Sequence, residues 1–233
     1  MARITRKELK TDKFALEIGH GVDFFEEHRQ EIIRYGAIAL AAILLILGYA
    51  VYSRHRHTDR EEALTQAIQT QEAAIAPYST NGGLTFPTQA AKDQAASKVF
   101  TEIRTKYSGS PEAEIAGYYL GAIQADAGQM VEAQKTLEEV AEKGNARYAS
   151  LAKLSLSQIY FSGGQGEKGE KLLRDMIAHP TVFVSKDQAT ISLAGYLMST
   201  KPEEARKLLT PLLARNDAVG QVALTMAGQL PRK

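Results

Sequence analysis

The stretch LGAIQADAGQMVEAQKTLEEV, residues 120–140, decides how the chain folds. Its two halves are built from Ala, Leu, Gln, Glu and Lys, side chains that lose little rotamer freedom on a helix, and Gly128 stands between them as a turn. Sliding the chain by thirty-six residues lays this pattern on itself twice more. Ala133 then meets Gly169 and Ala205, Leu137 meets Leu173 and Leu209, and Val140 meets Met176 and Leu212. In the preceding helices Leu120 falls on Leu156, and Gln124 on Tyr160 and Tyr196. A fixed period of this size is the mark of stacked repeats.

The small-against-large columns have a packing reason. Two antiparallel helices approach closely only where one presents a side chain no larger than a methyl group, and the neighbour seats a large residue in that gap. Ala133, Gly169 and Ala205 are the expected gaps. One helix pair cannot bury its apolar stripe alone, so successive pairs stack and share a continuous core. Breaks fall at Ser108 to Pro111, at Gly128, at Gly144, at Gly163 to Gly166, at His179 to Thr181 and at Lys201-Pro202. Residues 89–233 are therefore expected to form an all-α repeat domain, with the last helix, from Ala218, as a solvent-facing cap. An earlier half-unit, Ala96, Phe100, Ile103 and Tyr107, reads as the second helix of a repeat whose first helix lies within residues 59–76. Between them, residues 77–88 read as a turn-rich loop, so that residues 54–88 make a membrane-proximal helix and loop.

Upstream, YGAIALAAILLILGYAVYS, residues 35–53, is a run of nineteen residues without a charge. As a helix it is roughly 28 Å long, close to the ~30 Å hydrocarbon thickness of a bilayer. Tyr35, Tyr49 and Tyr52 stand near its ends, where amphipathic rings favour the headgroup level, and Arg34 and Arg54 close it off. A buried core helix is usually shorter and one-sided. A cleaved signal peptide fits poorly, because thirty-four residues precede the run and no small-x-small site follows it. The reading is one uncleaved transmembrane helix.

Residues 1–34 form a basic tail. Seven Lys or Arg precede the span, and three follow before Lys92. Counted over the whole tail, that bias puts the N-terminus in the cytoplasm; counted only near the helix ends, it vanishes or reverses. Residues 14–33 are amphipathic, so this segment either lies along the membrane surface or continues into the span.

The repeat stretch resembles a tetratricopeptide repeat. Leu120-Gly121 matches the Leu-Gly pair of that repeat's first helix, Gly128 its turn, Ala133 its small second-helix residue and Leu137 the apolar partner. Leu156, Tyr160, Gly169 and Leu173 match in the next unit, and Tyr196, Ala205 and Leu209 in the one after. The departures are a period of thirty-six in place of about thirty-four, no Trp, and Ser157 and Leu193 where a Gly would stand. The implied fold is a right-handed helical-hairpin solenoid whose inner surface comes from the first helix of each pair. That placement makes Tyr118, Gln158, Phe161 and Leu197 candidate partner-binding residues.

The full arrangement of basic tail, FFEEHRQEI (residues 24–32), one span and degenerate repeats is similar to the bacterial membrane-anchored tetratricopeptide family of the ancillary Sec translocon subunit. That resemblance implies a cytoplasmic tail, a single pass through the inner membrane and repeats in the periplasm. It further implies partners among translocon subunits, periplasmic chaperones or secreted clients.

Composition narrows the chemistry. With 28 Lys+Arg against 27 Asp+Glu there is no basic field to draw the chain onto nucleic acid. Cysteine is absent, which removes disulfides, thiolate metal sites and thiol nucleophiles. Gly163, Gly164 and Gly166 lack the strand before and the Lys-Ser/Thr after that a phosphate loop needs. His55 and His57, two apart, point in different directions on a helix, and His20, His28 and His179 have no partner at ligand spacing. Adjacent acids such as Glu138-Glu139 do not face each other and sit among Lys and Arg, as on a solvated face. No Gly-x-Ser-x-Gly nucleophile motif occurs. The expectation is an interaction protein without catalysis, metal or cofactor; the alternative is a cell-envelope assembly protein acting through self-association.

Overall fold

The computed structural model describes residues 29–76 and 83–231. The tail and most of the amphipathic segment, residues 1–28, lie outside the described residues. The contacts divide the chain into two compact units, one ending at Thr58 and the other running from Asp59 to Lys233.

A single helix, α1, spans Arg29–Glu72 and contains the whole uncharged run. Within that run the large apolar side chains are exposed, Leu45 at 75% and Tyr49 at 73% among them. It is the one described helix long and apolar enough to cross a membrane. After Glu72 the sequence pattern implies helix to residue 76 and then loop. The chain instead forms a short parallel pairing, β1 (Ala74–Ile75) with β2 (Thr85–Phe86). The pairing satisfies strand backbone groups, with Ala76 N–H donating to the Phe86 carbonyl at 3.0 Å. This pairing is the departure from an all-α reading.

The rest is a run of antiparallel helices: α2 (Gln89–Lys106), α3 (Pro111–Asp126), α4 (Met130–Lys143), α5 (Ala146–Ser162), α6 (Gly166–Ala178), α7 (Lys186–Thr200), α8 (Pro202–Leu209), a 3-10 turn (Thr210–Leu212) and α9 (Ala218–Gln229). Polar side chains start several of them. Thr88, Ser110, Asn145, Ser185 and Asp217 each accept a hydrogen bond from a backbone N–H of the first turn. The pairs α3/α4, α5/α6 and α7/α8 are the three hairpins of the thirty-six-residue period, and the first helices α3 and α5 also pack on each other.

Their cores follow the columns. Ala133, Leu137, Leu156 and Tyr160 are buried in one cluster, and Leu173, Ala205 and Leu209 in the next. Each fully buried leucine contributes about 1.5–3 kcal/mol relative to exposure. Gly121 is needed at its position, because a Cβ there would lie 2.6 Å from Leu137 Cγ. Gly169 makes the same kind of room, a Cβ there falling 2.5 Å from the Phe161 ring. Where Gly is replaced, the later units adapt: Ser157 is buried and donates to the Leu154 carbonyl at 2.7 Å, and Leu193 is fully buried.

Ahead of α3, the end of α1 supplies Ala67 to the core of Ala96, Phe100, Ile103 and Leu120, with Ala63, Leu64 and Ile68 against it. Arg60 Nε lies 3.2 Å from Glu112 Oε2 at the start of α3, in a pair whose side chains are 22% and 7% exposed. Between the later hairpins Glu170 bonds Arg174 at 2.7 Å and Lys201 at 3.0 Å. Those two cations hold its carboxyl below the usual carboxylate range.

Candidate functional site

Asn145 caps α5 by accepting from the N–H groups of Arg147 and Tyr148, and its own N–H donates to Glu114 on α3 at 2.9 Å. The cap thereby fixes Tyr148 beside α3. Tyr148 and Tyr118 have ring centroids 5.7 Å apart, and Tyr148 meets Phe183 edge-on at 5.5 Å. Phe183 is held by a tight turn. Thr181 N–H donates to the Val184 carbonyl, Thr181 Oγ1 accepts from Val184 N–H, and the Thr181 and Ser150 hydroxyls share a hydrogen bond of 2.7 Å. Val184 is fully buried, whereas Phe183 stays 37% exposed. On the other side Tyr118 touches Tyr119, which stacks on buried Phe100 at 5.2 Å. Five rings thus run in contact from α2 across α3 and α5 to the turn before α7.

Burial raises the Tyr118 hydroxyl above the usual phenol range, with neighbouring Tyr119 adding to it and a hydrogen bond from Ser155 opposing it. Tyr148 is raised for the same first reason, then by Tyr119 and Tyr118. At neutral pH both rings are uncharged, with a polar edge and an apolar face. That combination suits contact with another polypeptide.

Beyond Tyr118 the crevice between α3 and α5 opens into a hollow of about 330 Å³ lined by Ala122, Ala125, Asp126, Ser155, Gln158 and Ser162, among others. Four of its eight lining side chains, Ala122, Ala125, Ser155 and Ser162, are small, and Met130 and Ile159 add apolar wall. Gln158 is exposed in this hollow, and the Tyr118 hydroxyl reaches Ser155 on its wall. The other two sequence candidates belong elsewhere. Phe161 is only partly exposed; it lies over Gly169 and stacks on Tyr196 with centroids 3.7 Å apart, which makes it a wedge between hairpins. Leu197 is fully buried, in the core with Leu209, Leu212 and Ala223. The reason is that α9 packs against α7 and fills the space a groove would need.

Tyr148, Phe183 and the small residues of the hollow are not among the residues the sequence pattern singles out. Tyr148 is not thirty-six residues from Tyr118, so the repeat columns do not connect the two. Among the described residues no three His, Cys, Asp or Glu side chains gather as a metal would require.

The model of the tetratricopeptide repeat-like domain matches residues 23–210. The chain belongs to that family. As a tetratricopeptide repeat-like protein it shares its fold with two crystal structures of nearly identical TPR-like repeats from a putative kinesin light chain of Podosopora anserina, one of them a point variant. Each is 16% identical, with a TM-score of 0.54 over 72% of this chain and 83% of that one. No curated protein matches. Tetratricopeptide repeat-like folds serve as protein-interaction scaffolds.

Proposed function

We propose that this chain is a membrane-anchored scaffold whose repeats bind polypeptide segments along the crevice of α3 and α5. The observation that carries the reading is the crevice itself, flanked by the partly exposed rings of Tyr118, Tyr148 and Phe183 and lined by a mix of small, polar and apolar residues from two consecutive first helices and the start of α4. Residues 35–53 are the membrane anchor, because nineteen uncharged residues with exposed apolar side chains are stable only in lipid or against another apolar surface. Anchoring confines the search for partners to a thin layer, where effective concentrations reach ~millimolar and individually weak contacts suffice.

The finer assignment rests on the family resemblance of the full architecture. The tail lies in the cytoplasm, the repeats lie in the periplasm, and the scaffold links the Sec translocon to periplasmic chaperones or secreted clients. Site-specific crosslinking from position 158 in intact membranes tests it. Adducts with translocon or folding-factor subunits are expected. A single adduct corresponding to a second copy of the chain would favour self-association, and release of the full-length chain by alkaline extraction would remove the anchor.

A further inference from the structure

The last unit of a helical solenoid is ordinarily closed by a cap with a polar outer face, because no further unit covers it. Here α9 holds that place, packed on α7 and α8, and seven of its twelve residues are exposed. None of the twelve is charged, whereas each of α2 to α8 carries charged side chains. Val222 is 44% exposed and Leu224 55%. The centre of the face is Thr225, whose hydroxyl donates to the Gln221 carbonyl at 2.9 Å and so needs no further polar partner. At ~100° per residue, Gln221, Val222, Gly228 and Gln229 all fall within ~60° of it, and Leu224 stands at the edge.

The pattern is symmetric about Thr225. Gln221 and Gln229 lie four residues to either side of it, Val222 and Gly228 three. Two copies of α9 related by a two-fold axis at Thr225 run antiparallel, which brings Gln221 level with the second copy's Gln229 and Val222 level with its Gly228. An amide side chain both donates and accepts, so the glutamines satisfy each other. Gly228 is an open gap, a Cβ there meeting nothing within 4 Å, and a large residue across from a gap is the rule that seats Leu137 on Gly121 inside the repeats. The two Leu224 side chains lie on one side of the pair, ~3 Å apart along the axis. Antiparallel helix dipoles attract, and an uncharged face meets its own copy without like-charge repulsion.

We infer that α9 is the seat of a homodimer, in which two copies pair antiparallel about Thr225. Two three-turn helices make less than the ~1,200–2,000 Å² of a standard interface, so confinement of both copies to one membrane adds to the pairing. The peptide-binding crevice has no residue on α9, and the two surfaces act independently.

The chain contains no cysteine, so single introduced cysteines each report one contact. Facing Cα atoms on helices ~9 Å apart are roughly 4–5 Å from each other, within reach of a disulfide. In proteoliposomes of the full chain under mild oxidation, Thr225→Cys should form a linked dimer. Gln221→Cys and Gln229→Cys, each ~12 Å along the axis from its own counterpart, should stay unlinked alone and join each other when the two variants are mixed before reconstitution. Val222→Lys, added to Thr225→Cys, brings an unpartnered cation into the contact and should slow the linkage at least about tenfold. Self-linkage of Gln221→Cys as fast as that of Thr225→Cys indicates parallel pairing or random collision and overturns the inference. Absence of linkage at Thr225→Cys overturns it too, as does a rate unchanged by Val222→Lys.

Discussion

Gly128 and Gly164 hold the same left-handed backbone conformation, φ +77° and +72°, at the turn of two successive hairpins. Around each the hydrogen bonding is also the same. Gln129 N–H returns to the Gln124 carbonyl at 2.9 Å, and Gln165 N–H to the Tyr160 carbonyl at 2.7 Å. These are helix ends of the Schellman type, in which a residue of positive φ follows the last turn. A Cβ at either position would meet nothing within 4 Å, so a substitution is felt through the backbone alone. Gly164→Ala is therefore expected to destabilise by ~1–2 kcal/mol, and Gly128→Ala by a similar amount. Urea unfolding of each variant measures this, and a loss near zero at both would contradict the shared turn.

Gly121 tests packing where the glycine turns test conformation. Alanine there gains ~1 kcal/mol of helix propensity but drives a methyl group into the side chain of fully buried Leu137. Overpacking costs ~1–3 kcal/mol, so the steric effect wins and Gly121→Ala should be net destabilising. Shortening the opposing side chain removes the clash. The double variant with Leu137→Ala should thus be more stable than the sum of the two single losses allows, by a coupling of at least ~0.5 kcal/mol.

The separation of core from crevice makes a third expectation. Leu197→Ala should cost ~2–5 kcal/mol by leaving a cavity, with affinity for bound peptide unchanged once the protein is folded. Gln158→Ala, at an exposed position, should alter stability by less than ~0.5 kcal/mol and act on binding instead. Paired denaturation and binding curves distinguish the two; a binding defect confined to Leu197→Ala would reverse the assignment.

Tyr160 provides a pH signature. Its hydroxyl donates to Glu138 Oε1 at 2.7 Å, and burial followed by that carboxylate pushes its pKa up to about 12. Below the unfolded value near ~10 the ring is protonated in both states and its stabilisation is fully present. Between about 10 and 12 the unfolded chain binds fewer protons than the folded one, so stability falls as pH rises. Tyr160→Phe should lose ~1.5–3 kcal/mol at neutral pH and flatten part of that alkaline decline. Identical alkaline slopes for the two proteins would rule out this role.

Among the described residues, Arg60 and Glu112 form the ion pair best shielded on its acidic side. Removing one partner of a buried pair leaves the other charge poorly solvated, at a cost of ~3–5 kcal/mol. Arg60 retains some solvent, so Glu112→Gln is expected near the lower figure. A thermal melt shows it as a lowered midpoint, and Arg60→Met combined with Glu112→Leu should recover much of the loss.

The repeat columns were legible in the sequence because they obey a spacing. Leu137, Leu173 and Leu209 share one environment, and the turn glycines recur with them. The crevice was only half legible. Tyr118 and Gln158 lie on first helices and follow from the repeat pattern, but Tyr148 depends on the cap at Asn145 and Phe183 on a turn closed by Thr181. These are local hydrogen-bonding events without a period. Leu197 departs from its expected role for the opposite reason: its column is regular and a capping last helix is expected, but that α9 lies over the face carrying Leu197 is a matter of packing direction that the repeat spacing does not encode. The β1–β2 pairing likewise depends on two short segments meeting across residues 77–82.

The run of touching rings from Phe100 to Phe183 has an optical corollary. Three of its five members are tyrosines, and the chain contains no tryptophan to drain their excited states. Native ultraviolet emission therefore carries a signal from the crevice, and a ligand settling over Tyr118 and Tyr148 announces itself without any attached dye.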